Sequence, residues 1–113
     1  MNYFKKEVPK EYPLNFKGIL KVFDNKKNEK LCVPCWTNWL SSQDVCLIAE
    51  KEVSLLDVKV YVSLRWPCYL DQSVPLNICI KGTVVSEENN KLLIRIISHE
   101  FRLRMRQTVV VEE

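Results

Sequence analysis

Three groups of residues in this chain are of types that do chemistry. Cys32-Val33-Pro34-Cys35 has the C-x-x-C spacing that can clamp zinc or run thiol exchange. Zinc takes four ligands, commonly from a second close pair, whereas Cys46, Cys68, Cys79 and His99 are scattered singly. Thiol exchange wants a low-pKa cysteine at a helix start, and this pair lies in an extended context. The reading is therefore structural, with no metal and no cofactor. His99 stands beside Glu100, which could tune it as a base. No G-x-S-x-G, P-loop, dinucleotide fingerprint or H-E-x-x-H accompanies it, so a surface histidine is expected and no enzyme activity. Arg102, Arg104 and Arg106 alternate along the chain. On a strand they would share one face and could make an anion or partner site.

These residues need elements to hold them, and the chain supplies strands. Val58 to Arg65 is apolar at every even position. Leu76 to Lys81 repeats the pattern and runs on to Val84-Val85, and Lys91 to Ile97 is a further β-branched run. Phe16 to Phe23 reads as an earlier strand with Gly18 inside it. Period-two alternation of this kind marks strands buried on one face. Asp24 to Asn28 and Ser86 to Asn90 are polar and short, as hairpin turns are. Pro67 is expected to close one strand and Pro75 to open the next. Gly82 inside a strand pattern predicts a bulge or sharp bend. Glu100 to Glu113 fits strand or helix. The sum is about six antiparallel strands, with closure into a small barrel to remove exposed edges.

Length and charge bound the rest. The 113 residues make one domain by size, with a basic N-terminal arm over 1–15 and a barrel over 16–113. Apolar residues at 47% and charged residues at 27% describe a globular chain. No apolar run approaches the ~18 residues of a membrane span. MNYFKKEVPKEYP has no apolar stretch after its lysines, so no secretory signal is read there. With an odd count of 5 cysteines, reduced thiols and a cytoplasmic location are expected, and Cys46 and Cys79 read as small buried hydrophobes. The net charge is +3, with basic ends around an acidic middle. That is too little for bulk nucleic-acid binding. Tyr61 and Arg65 share a strand face, but few other bases join them, so no nucleic-acid partner is expected.

From residue 16 to Arg102 the order of features resembles the PilZ domain family of bacteria. The resemblance is carried by Val58 to Leu64 with Trp66-Pro67 after it, then Leu76 to Ile80 followed by Lys81-Gly82-Thr83-Val84-Val85, then Leu92 to Ile97 ending in Ser98-His99-Glu100-Phe101-Arg102. It implies a six-stranded antiparallel barrel with a short C-terminal extension or helix. In many members the implied ligand is cyclic di-GMP, held by an N-terminal R-x-x-x-R motif and a [DN]-x-S-x-x-G motif. Arginine suits that ligand because it stacks on guanine and forks onto phosphate. Here Lys5, Lys6 and Lys10 stand where the arginines belong. Trp39-Leu40-Ser41-Ser42-Gln43-Asp44 aligns best with the second motif and matches it only at Ser41.

Two functional readings follow. The first is a non-enzymatic regulatory adaptor of PilZ type with a degenerate nucleotide site. It would act on motility or exopolysaccharide machinery through a protein partner, with Trp36, Trp39 and Trp66 as anchors. The alternative is a receptor for cyclic di-GMP or another anionic nucleotide. It would use a non-standard basic site drawn from Lys5, Lys6, Ser41, Arg102 and Arg104.

Overall fold

A computed structural model describes residues 16–70 and 74–103. The alternating segments become six strands: β1 Lys17–Phe23, β2 Glu29–Leu40, β3 Asp44–Ala49, β4 Lys59–Leu70, β5 Val74–Glu88 and β6 Lys91–Leu103. All pair antiparallel in a closed barrel of order β1-β2-β3-β6-β5-β4. The expected six-stranded antiparallel barrel is the architecture found. Among the described residues there is no helix, and hence none long and apolar enough to cross a membrane. The arm over 1–15 and the chain after Leu103, expected as an extension or helix, lie outside the described residues.

Period two decides which side chains fill the barrel. Val60, Val62 and Leu64 of β4 point inward and meet Leu20, Ile78, Ile80, Leu92 and Ile94 in one core. Fully burying an aliphatic side chain of this size contributes ~1.5–3 kcal/mol. Leu55, from the connection between β3 and β4, joins the same core. That connection is tied down where the Leu55 N–H donates to Glu87 Oε1 at 2.8 Å and the Asp57 N–H to the Val84 carbonyl at 2.7 Å.

The turns follow their chemistry. Asp24 Oδ1 accepts from the N–H groups of Lys26 and Asn28, both at 2.8 Å, and Lys27 takes the left-handed conformation. The donors, Asn28 first, hold the Asp24 carboxyl below its usual range. Asn89, also left-handed, turns the β5–β6 hairpin. Pro67 does not end its strand. β4 runs through it to Leu70, because a register shift between Arg65 and Tyr69 places the proline where no ladder donor is needed.

The chain's 2 glycines both sit where strands crowd. A Cβ on Gly18 would lie 2.2 Å from the Ser63 carbonyl oxygen and 2.7 Å from Leu64 Cδ2, across the β1–β4 seam. A Cβ on Gly82 would lie 2.5 Å from the Arg95 carbonyl oxygen. The expected irregularity at Gly82 is present as a register shift between Lys81 and Gly82.

β6 outruns its neighbour. It pairs with β3 only from Lys91 to Arg95, and its remaining length pairs with β5 alone. The far ends of β4, β5 and β6 therefore project past the ring. Along their inner face Phe16, Trp66 and Phe101 meet edge-to-face, with ring centroids 5.6 and 5.1 Å apart.

Gly18→Ala and Gly82→Ala should each destabilise the barrel by ~1–3 kcal/mol or more, because the added methyl meets backbone that cannot move aside. Urea unfolding will read this as a lower midpoint, larger for Gly18→Ala, whose contact is the closer.

Candidate functional site

The outward residues of β1, β4, β5 and β6 fall into rows set by register. Lys21 lies opposite Tyr61, Tyr61 opposite Lys81, and Lys81 opposite Ser98. One step along, Ile19, Ser63, Cys79 and Glu100 form the next row. Beyond it Arg65, Asn77 and Arg102 form a third. The first two rows, with Phe23 and Arg102, line a groove of about 610 Å³ on this outer face. Tyr61 meets Phe23 edge-to-face at 5.3 Å, and both rings are exposed. A phenol flanked by two ammonium groups, with the Arg102 guanidinium in the same groove, can stack a planar ring and hold an anion next to it.

The electrostatics are specific. Lys21 Nζ stands 3.5 Å from Glu29 Oε1, both side chains nearly half exposed. Arg102 Nε donates to Glu100 Oε2, and that bond strengthens the hold on its proton. Exposed pairs like these contribute little and exchange readily for another anion. Lys81 has no ion-pair partner among the described residues. The Asn77 Oδ1, between the two arginines of its row, is buried without a hydrogen-bond donor.

The sequence-predicted residues divide. Arg102 is exposed on β6 and belongs to the groove. Lys5, Lys6 and Arg104 lie outside the described residues. Ser41 sits in the β2–β3 turn and does not line the groove. Its Oγ faces the Gln43 and Asp44 N–H groups at 3.3 and 3.2 Å and the Asp44 carbonyl at 3.2 Å, so it holds its own turn. Asp44, which stands at the glycine position of the aligned motif, is fully buried and accepts from Arg95 Nε at 2.7 Å. It braces β3 against β6 and presents no charge to a ligand.

The three tryptophans do not form one surface. Trp36 and Trp39 are half-buried on the outer face of β2, opposite Ile48 and Cys46. Trp66 lies inward, packed on the core. Cys79 is not a core residue; it is half-buried on the outer face, its Sγ 3.9 Å from Ser63 Oγ. His99 is exposed, on the opposite strand face from Glu100, and packs toward Phe101 at 6.4 Å.

No protein-family model, curated protein or solved structure matches this chain.

The C-x-x-C pair is separated by strand geometry. Residues three apart on a strand point to opposite faces. Cys32 is exposed and Cys35 is 2% exposed in the core. They cannot share an ion or a disulfide without breaking β2. Among the described residues no group of three His, Cys, Asp or Glu side chains could hold a metal.

In the sequence Lys21, Phe23, Tyr61 and Lys81 each occupy the outward phase of an alternating segment, and nothing local marks them as one site. Their adjacency depends on inter-strand register.

Burial pushes the Cys35 thiol from 9.0 up to about 12. Above pH 9 the unfolded thiol ionises while the folded one stays protonated, so the unfolded state binds fewer protons and stability falls as pH rises. The loss is at most ~1.4 kcal/mol per pH unit between those values. Cys35→Ala should flatten the alkaline slope relative to wild type in urea titrations from pH 8 to 10. Cys32 should alkylate rapidly in the native protein and Cys35 only on unfolding.

Proposed function

We propose that this chain is a non-enzymatic regulatory barrel of PilZ-like type that binds an anionic, ring-bearing ligand of the cyclic-dinucleotide class. The ligand face is the outside of β1, β4, β5 and β6. One observation carries the reading: Tyr61 stands between Lys21 and Lys81 across three paired strands, with Arg102 lining the same groove. Phosphates would meet Lys81 and displace Glu29 and Glu100 from Lys21 and Arg102. A base would stack on Tyr61, braced by Phe23. Such a set replaces the usual arginine motif with charges drawn from separate strands. The cyclic dinucleotide as the specific member of the class comes from the family resemblance.

The second reading is the adaptor acting through a protein partner. It is favoured by Ser41 and Asp44, which the fold itself engages, and by the half-buried Trp36 and Trp39 on the other side of the ring.

Calorimetric titration with cyclic di-GMP separates the two. The receptor reading expects saturable binding that weakens steeply between low and moderate salt, since the Debye length falls to ~10 Å at 0.1 M. Tyr61→Ala should lose about 5- to 150-fold in affinity, the range of one base stack of ~1–3 kcal/mol. Lys81→Glu should lose ~10-fold or more, and Trp36→Ala should bind as wild type. No heat at roughly 100 μM ligand under either salt condition overturns the receptor reading and leaves the adaptor.

A further inference from the structure

β6 offers a long unpaired edge. From Ile97 to Leu103 it pairs with β5 on one side, and on the other side no strand of the described residues adjoins it. The last contact there is the Ile96 N–H to the Gln43 carbonyl at 2.9 Å. Natural edges are usually short, charged or covered, because a free ladder recruits another strand. This one carries Ile97, Phe101 and Leu103 at 54%, 48% and 46% exposed, on alternate positions of one face. Ser98, Glu100 and Arg102 occupy the other face.

The charges on that face are arranged as a self-complement. Glu100 and Arg102 flank Phe101 on either side. In an antiparallel pairing of two copies centred on Phe101, Glu100 lies opposite Arg102 of the second copy, and Arg102 opposite its Glu100. Phe101 then meets Phe101 of the second copy on the two-fold axis, and His99 lies opposite Leu103. Opposite charges placed directly across a ladder stabilise it, and like charges oppose it. Registers centred on Glu100 or on Arg102 would each set one charge against itself. Shifting by one residue would lay the apolar face against the charged one. Only the Phe101-centred register sets Glu100 opposite Arg102 while keeping the apolar residues on one face.

We propose that β6 pairs with β6 of a second copy of this chain, antiparallel and centred on Phe101, to give a two-fold dimer with one sheet continuous across both barrels. Such an interface is isologous and closes at two copies. The inference does not rest on the ligand reading, and its test needs no ligand.

Sedimentation equilibrium of the full chain should give a dimer at roughly 100 μM. Glu100→Arg alone and Arg102→Glu alone should each shift the chain toward monomer by ~10-fold or more in dissociation constant. The double exchange Glu100→Arg with Arg102→Glu should restore the dimer, because the swapped charges still complement. Phe101→Cys should form an intermolecular disulfide on mild oxidation, since opposite Cα atoms lie ~4.5–5.5 Å apart, and Leu103→Cys should not. A monomeric wild type overturns the proposal. So does a dimer that both single reversals leave intact, or a Phe101→Cys chain that does not cross-link. Slow amide exchange over 97–103 in a monomer would assign the edge to another segment of the same chain and overturn it equally.

Discussion

The barrel depends on a short seam. β1 reaches β4 over Gly18 to Lys21 only, and the ring is open without it. The seam closes because Gly18 has no side chain where the Ser63 carbonyl and Leu64 pass. Gly82 does the same work on the far side, where β5 bends against β6. In a closed sheet, strand spacing is set by hydrogen bonding at about 4.8 Å, so crowding inside the curve has to be met by removing atoms. A chain with 2 glycines has placed both at those points.

Closure also makes the candidate site. Tyr61 of β4 and Lys81 of β5 adjoin through their own ladder, and Lys21 of β1 joins them only when β1 pairs with β4. The ligand face and the seam are thus one feature seen from outside and inside the sheet: Leu20 faces the core while Lys21 faces the groove. Across the ring, Asp44 and Arg95 tie β3 to β6 with a buried carboxylate. A partnered charge there holds register, since a slip would leave the carboxylate buried without its cation.

The two chemically conspicuous motifs meet strands: Cys32 and Cys35 lie in β2, and of the arginine row Arg102 lies in β6. C-x-x-C is divided between core and solvent by the pleat. The arginine row begins on a real strand at Arg102, but its immediate contact is Glu100 two residues back. Spacing that carries meaning on a helix or in a loop carries a different meaning when successive side chains alternate faces. The same alternation gives β6 its two unlike faces beyond Arg95, aromatic and aliphatic on one, Glu100 and Arg102 on the other.

What the sequence determined by itself was the class and most of the parts. Apolar residues at every second position from Val58 to Leu64 and from Leu76 to Ile80 dictate one-sided strands, and the polar turns at Asp24 and Asn89 close the β1–β2 and β5–β6 hairpins. An odd glycine in a strand announced the irregularity at Gly82. These are local properties, decided by side-chain period and backbone sterics. Only the tertiary structure decided which strands adjoin. Register is a relation between segments far apart in the chain, and no residue on β1 encodes that Lys21 will face Tyr61. It decided too that Pro67 is carried by a bulge and that Cys79 lies outside. Those outcomes depend on how closing the ring distributes space, which no single segment contains.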